Sequence, residues 1–473
     1  MVFSSTLFLL YFLPIFLLVY ILIPRSFKNY WILIGSVLFY SWGAPKFVFV
    51  VLASTFLDFY IVKWLHQSQD VSQRKWLLAL SISINLGLLL FFKYANFFVE
   101  NLNGFLGSVG VERVGWTSIA LPIGISFYTF QTLTYSIDVY RRVHEPLQKV
   151  SDYLLYILSF PQLIAGPIVR YSSIAGEITD RKETVNDRLL GLYRFAIGLG
   201  KKVLIANVMG QQADMILNGD LTNLNSPQAW LGILAYTFQI YFDFSGYSDM
   251  AIGLGKMMGF TFPENFESPY TSRSISEFWR KWHITLGTFM RDYLYIPLGG
   301  NRVNHKGRLY FNLWFVFLLS GLWHGAAWNF VLWGAFHGLF LILDRIFLLR
   351  LLDRLGKITA IIFTFFVTVL GWVIFRLESL ADIQVYFSRL FAFEDGGWGE
   401  IFPPFRVTLM LAIFFSFITI TKWGQKLRDF FFYQPHYTSR QHLLLSGIAM
   451  ILLYLSVSSV IASGFNPFIY FRF

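Results

Sequence analysis

Apolar residues fall in long blocks separated by short charged loops. At about 20 residues per crossing, the blocks predict membrane helices near 4–23, 29–43, 46–63, 76–98 and 119–138. Further blocks lie near 190–210, 228–257, 309–326, 327–349, 358–378, 405–421 and 443–463. The stretch DYLLYILSFPQLIAGPIVRY carries Pro161, Gly166 and Pro167 in a length that barely spans. It predicts a broken or re-entrant segment, which is tolerated at depth only where protein covers the freed backbone. Residues 262–308 mix aromatics with Arg273, Arg280, Lys281, Arg291, Arg302, Lys306 and Arg308. That pattern predicts amphipathic helices lying at the cytoplasmic interface or dipping into the protein.

The expected fold is therefore all-α, a polytopic membrane protein of roughly 11–13 segments, re-entrant and interfacial helices included, around a central funnel or tunnel. One domain, 1–473, is expected with no separate soluble domain, since polar stretches reach only about two dozen residues. Arg25 and Lys28 follow the first block, Lys63, Arg74 and Lys75 lie between the third and fourth, and Arg141, Arg142 and Lys149 follow the fifth. These basic loops share one side, the cytoplasmic one, which places the N-terminus outside. The basic loops at 350–357 and 422–442 alternate with an acidic loop at 379–404 holding Glu394, Asp395 and Glu400. That alternation puts the tail GFNPFIYFRF outside as well. The first apolar run lacks a basic n-region and a small-residue cleavage site, and reads as a retained helix.

A chain that is 56% hydrophobic and 14% charged has more apolar surface than a soluble domain of this length can bury. The absence of cysteine excludes disulfides, thiolate metal sites and a cysteine acyl intermediate, and no metal is expected. The net charge of +11 sits in loops between spans. It reads as positive-inside bias rather than a nucleic-acid surface.

His324 lies in SGLWHGAAWNFVLWGAFHG (320–338), which contains no Asp, Glu, Lys or Arg. An ionisable ring at bilayer depth is costly and usually lines a cavity or reaction path. A neutral imidazole can take a proton from a hydroxyl as it attacks, and burial favours the neutral form. The plainer reading is a core histidine bonded to a carbonyl. His337, thirteen positions on, faces elsewhere on a helix and is assigned to packing or a carbonyl hydrogen bond. Asp243 and Asp249 would each cost about 3 kcal/mol against lipid. They must line a polar tunnel or cross-link helices around Ser245, Gly246 and Tyr247. Gln131 and Asn329 are isolated amides of the kind that bridge helices.

Three strings, YFDFSGYSDMAIGLGKMMGF (241–260), NFESPYTSRSISEFWRKWHITLGTFMRDYLYIPLGGNR (265–302) and the His324 block, occur in that order. Together with FYTFQTLTYSIDVYR (127–141), FPQLIAGPIVRY (160–171) and the terminal FIYFRF, they closely resemble the membrane-bound O-acyltransferase family. The resemblance covers essentially the whole chain. It is greatest to the bacterial branch serving O-acetylation of alginate, peptidoglycan and cellulose and D-alanylation of teichoic acid. It implies acyl transfer from a thioester to a hydroxyl, with His324 at the family's WHG histidine. His283 stands at a second polar position, His or Asn in the family, and would orient or polarise the thioester carbonyl. A snorkelling structural histidine beside Trp279 and Trp282 is the competing reading.

Asp243, Tyr247, Asp249, Trp323, Asn329 and Gln131 would line the substrate path. Arg280, Lys281 and Arg291 would meet the phosphates of a coenzyme A donor, or else anionic lipid headgroups. No bound cofactor is expected, with acetyl-CoA or another acyl thioester as donor substrate. The implied setting is the bacterial inner membrane, multi-pass, with both termini periplasmic. The implied partners are the lipid bilayer, a periplasmic serine-hydrolase-like acetyltransferase and, indirectly, a polysaccharide; nucleic acid is not among them. An alginate-like polymer comes first, then peptidoglycan or cellulose. The alternative is a non-catalytic transporter or scaffold of an exopolysaccharide complex. Broken helices and buried Asp suit a transporter, but its inverted repeat is absent.

Overall fold

The computed structural model describes residues 1–467 and Ile469, so most of FIYFRF lies outside the described residues. Among those residues the regular structure is helical, with one isolated bridge between Phe266 and Trp282. The chain is thus all-α and polytopic, as its apolar blocks require. Four helices are long and apolar enough to cross a bilayer: Phe47–Gln67, Val71–Ser108, Lys357–Arg376 and Ser439–Ser463. A fifth is counted if Phe405–Ile420 and Lys422–Phe432, bent by 103°, form one broken span. The remaining blocks form helices that are shorter, such as Phe8–Leu22, or more polar, such as Ser226–Met257 with its two aspartates. Three helices occupy stretches read from sequence as loops, Leu349–Leu355, Leu380–Leu390 and Lys422–Phe432. Their charged faces hide the apolar stripe from a scan for long hydrophobic runs.

Contacts group the chain into two compact units, Met1–Arg188 with Gly255–Pro263, and Leu189–Leu254 with Glu264–Phe473. In the first, the carboxylate of Asp58 is buried where four helices meet. It accepts hydrogen bonds from Ser81 at 2.5 Å, Asn85 at 3.1 Å, Tyr153 at 2.6 Å and Ser136 at 3.4 Å. A buried carboxylate needs that many donors to replace its water. The segment expected to be re-entrant is a helix, Val150–Leu158, a single turn, Phe160–Leu163, and then buried irregular backbone to residue 170. Tyr156 donates to the Val169 carbonyl at 3.1 Å, and Gln162 donates to the Tyr156 carbonyl at 2.5 Å. Side chains thus take over the carbonyls that the broken helix releases.

A second hub in this unit joins Glu183 to Lys28 at 2.5 Å, to the Tyr20 hydroxyl at 2.6 Å and to Arg188 at 3.1 Å. Burial pulls this carboxyl upward, but the three donors more than offset it and hold Glu183 below the usual carboxylate range.

In the second unit, the Val185–Gly200 and Ser226–Met257 helices touch through backbone. A Cβ on Gly198 would stand 2.6 Å from the Gly246 carbonyl oxygen, and one on Gly253 2.6 Å from that of Gly191. Only glycine permits this approach. It lets cations of one helix reach acids of the other. Arg194 and Lys201 meet Asp249 at 2.7 and 2.6 Å, and Lys202 meets Asp243 at 2.9 Å. A π-helical stretch, Lys201–Ala206, carries the two lysines.

Glu183→Ala strands the buried ammonium of Lys28 and is expected to destabilise the protein by about 3–5 kcal/mol. The depressed carboxyl contributes stability above the unfolded value of about 4.3 and loses it as pH falls through the folded value. Melting temperatures in detergent should show that acid-side loss in the wild type and a smaller one in the variant. Equal curves would refute the role given to Glu183.

Candidate active site

The Lys306–His324 helix stops at the histidine. Gly325 is extended, and the Phe330 ring fills the place of its missing side chain, 2.1 Å from where a Cβ would stand. The chain re-enters a helix at Trp328, and this return helix packs closely on the first. A Cβ on Gly334 would be 2.5 Å from the Phe317 carbonyl oxygen. The small residues around WHG therefore serve a tight helical hairpin whose break presents the imidazole. His324 is buried with its ring edge-on to Trp323 at 4.9 Å, Trp333 at 5.2 Å and Phe375 at 5.3 Å between centroids.

His283 arrives by a different route. The short helix Ile275–Lys281 is capped by Ser274, whose hydroxyl accepts the Glu277 N–H at 3.1 Å. Beyond it, the chain pairs with residues 265–267: Glu267 N–H donates to the Lys281 carbonyl at 2.9 Å and Ile284 N–H to the Asn265 carbonyl at 3.0 Å. His283 turns the corner with φ 46° and ψ 53°, a left-handed conformation that is uncommon outside glycine and favours functional sites.

Asn265 fixes this ring. Its Oδ1 accepts from the Thr285 N–H at 3.3 Å, the Thr285 hydroxyl at 2.9 Å and His283 Nδ1 at 3.1 Å, while its Nδ2 donates to Ser248 at 3.1 Å. A backbone N–H can only donate, so the amide orientation follows, and Nδ1 is the ring nitrogen that carries hydrogen. In the neutral ring Nε2 then holds a lone pair. It has no hydrogen-bond partner among the described residues. Phe244 lies edge-on to this ring at 4.6 Å, and Trp323 lies 6.1 Å from it and 4.9 Å from His324, between the two imidazoles. Burial above all, and then positive charge on the nearby His324, disfavour charge on His283.

His324 borders a cavity of about 10 Å³ closed by Phe244, Trp282, Trp333, Phe375 and Ile469, among others. That is room for about one water-sized group, not an open funnel. A larger cavity of about 420 Å³ in the same unit is lined by Arg194, Lys201, Tyr241, Asp249, Phe266 and Phe432, among others, and by neither histidine. Its Phe266 ring lies 4.9 Å from Phe244, which in turn touches His283. A layer of aromatic rings separates the large cavity from the imidazoles.

The other sequence-predicted residues divide. Trp323 joins the two histidines. Asp249 lines the large cavity but is paired with Arg194 and Lys201. Asp243 pairs with Lys202 and accepts the Ile469 N–H at 2.9 Å. Tyr247 is buried. Asn329 donates at 3.4 Å to the carbonyls of Ile374 and Phe375, as a bridge between helices. Gln131 is buried in the first unit. Arg280 is exposed, Lys281 is paired with Glu277 at 2.7 Å and Arg291 with Asp292 at 2.6 Å. His337 packs against Trp279 and Trp333, both at 5.0 Å, with neither ring nitrogen hydrogen-bonded among the described residues. Residues 275–289 also do more than skirt an interface: Phe278, Trp282, Leu286 and Phe289 are buried. The sequence reading missed Asn265, Trp372, Phe375 and Ile469. Apolar wall residues carry no chemical signature, and Asn265 acts across a turn of eighteen residues.

Residues 134–381 match the profile of the membrane-bound O-acyltransferase family. The chain is 40% identical to the probable alginate O-acetylase AlgI of Pseudomonas putida over the full length of both. The chain belongs to the membrane-bound O-acyltransferase family. It is also 38% identical to the peptidoglycan O-acetyltransferase of Helicobacter pylori over 80% of this chain and 78% of that one. The teichoic acid D-alanyltransferase of Streptococcus thermophilus shares 28% identity over 49% of this chain and 58% of its own. The protein is thus an O-acyltransferase and a multi-pass membrane protein, which sets aside the transporter and scaffold readings.

A positioning role for Asn265, read from these hydrogen bonds, makes a specific prediction for this O-acyltransferase. Asn265→Ala releases Nδ1 and should lower kcat by about 100-fold or more with KM little changed, whereas Asn265→Asp, which keeps the acceptor, should recover most of it. The ¹⁵N shifts of His283 should report the change of tautomer. A normal kcat in a folded Asn265→Ala protein would show that the orientation is idle.

Proposed function

We propose that this O-acyltransferase takes an acetyl group from a cytoplasmic thioester, acetyl-CoA or an acyl carrier, and passes it across the bacterial inner membrane for O-acetylation of an extracytoplasmic polysaccharide. An alginate-like polymer is favoured because a relative that matches over the whole of both chains is named for alginate. Peptidoglycan follows from the Helicobacter pylori relative, and cellulose stands on the resemblance of motifs. Both termini would face the periplasm, where a serine-hydrolase-like partner completes transfer to the polymer.

The observation that carries the reading is the pair of buried imidazoles flanking Trp323, one bordering a cavity and the other with an open Nε2. His324 removes the proton of the acceptor hydroxyl as its oxygen attacks the thioester carbonyl. The new C–O bond forms, the C–S bond breaks, and the sulfur leaves as a thiolate that takes the proton back from the imidazolium. The carbonyl end of the Lys306–His324 helix favours that transient positive charge. With Nδ1 committed to Asn265, neutral His283 is an acceptor at Nε2. It suits aligning the hydroxyl better than donating to the carbonyl, which revises the role implied by the motif alone. No cysteine is present to hold the acyl group, and the aromatic walls exclude bulk water that would otherwise hydrolyse the thioester.

The test is thiol release from radiolabelled acetyl-CoA by purified protein, with an acceptor oligosaccharide supplied. His324→Ala, and His324→Gln as the closer replacement, should lose about 10²–10⁴-fold in rate while melting like the wild type. Turnover within twofold of wild type in either folded variant would overturn the assignment.

A further inference from the structure

We infer that Ile469 sets the size of the acyl group, and that a buried ion pair holds it in place for that purpose. The inference rests on the reading of His324 as the site of acyl transfer. Ile469 is buried, and its side chain closes the cavity that His324 borders. Most of the wall is interlocked aromatic rings: Trp282 on Trp372 at 4.9 Å, Trp333 on Phe375 at 5.2 Å and Trp372 on Phe375 at 5.6 Å. Those rings are fixed by one another. Ile469 instead follows the last long helix, Ser439–Ser463, so the depth of the cavity depends on where the chain segment beyond that helix is pinned.

The pinning is electrostatic. Lys202 and Asp243 form an ion pair at 2.9 Å with both side chains 2% exposed. Each then uses its remaining hydrogen-bonding capacity on the segment. Lys202 donates to the Pro467 carbonyl and, at 2.8 Å, to Asn207. Asn207 donates in turn to the Phe465 carbonyl at 3.3 Å, and Asp243 takes the Ile469 N–H at 2.9 Å. Ions this deeply buried are tolerated only when paired. A cluster that could have served as a polar tunnel lining is thus spent on backbone, and what it delivers is one aliphatic side chain beside the imidazole.

The space left is about 10 Å³, enough for a group of the order of a single methyl or water. An acetyl group has one carbon beyond its carbonyl; propionyl and butyryl have two and three. One methylene in such a pocket discriminates by about 10–200-fold, so the wild type should prefer acetyl by that order. Ile469→Ala removes three carbons from the wall and should raise the propionyl-to-acetyl ratio at least about tenfold. Ile469→Val, which removes one, should shift it by less.

The experiment measures kcat/KM for acetyl-, propionyl- and butyryl-CoA by thiol release, using the full chain in proteoliposomes. The wild type, Ile469→Ala and Ile469→Val are compared, with melting temperatures recorded. A graded widening of chain length from wild type through Val to Ala supports the inference. An unchanged ratio in an active Val or Ala variant overturns it while leaving the role of His324 intact. A wild type that turns over none of the three acyl groups, whether presented on coenzyme A or on an acyl carrier protein, defeats the acyl-transfer reading, and this inference with it.

Discussion

A charge taken out of water must be given a partner, and here the partners of the second unit lie on a facing helix at glycine contact. Desolvating an ion costs several kcal/mol even after relaxation, so the backbone approach at Gly198 and Gly246 is a condition of the charge network. With the helices further apart, Arg194, Lys201 and Lys202 could not reach Asp249 and Asp243. Arg194 is held further by Glu264 at 2.5 and 3.0 Å and by the Phe432 ring at 4.4 Å. From this braced pair extend both the wall of the large cavity and the anchor of Ile469.

The half of the unit that holds the candidate site follows the opposite policy. Around His283 and His324 the neighbours are rings and amides, with Asn265 doing what a carboxylate does in many histidine sites. A neutral orienter fixes the tautomer without burying an anion that would need its own counter-ion. It also leaves the imidazoles as the groups whose charge can change in a low-dielectric space, where interaction with developing charge is strongest. The two arrangements meet at Phe244 and Phe266, which separate a large cavity with charged residues on its wall from a small one walled mainly by aromatic rings.

Hydropathy blocks made the helical class and the membrane setting legible, because lipid leaves few alternatives for an apolar chain. Pro161 and Gly166 marked the broken segment for the same reason. The Leu349–Leu355, Leu380–Leu390 and Lys422–Phe432 helices were not visible, since amphipathic helices with charged faces look like loops when only long apolar runs are counted. His324 stood out because nothing ionisable surrounds it in sequence, and His283 through the resemblance of its motif. What could not be read was which acids touch which bases: Asp243 and Asp249 looked alike, yet one anchors a distant segment while the other braces a cavity wall. The basic residues at 280, 281 and 291 looked like a cluster in one dimension. In space, Lys281 and Arg291 are occupied by neighbouring carboxylates.

The left-handed backbone at His283 carries one more consequence. Glycine occupies that conformation without strain, and asparagine, aspartate and histidine enter it more readily than other residues do. Geometry alone therefore reduces the vocabulary of position 283 to a few residues before any chemistry is asked of it. Glycine, with no side chain, would be the thermodynamically comfortable occupant, so keeping an imidazole there trades conformational ease for a usable lone pair. Asparagine would be the nearest substitute at such a corner, a side chain that tolerates the bend and still offers an acceptor.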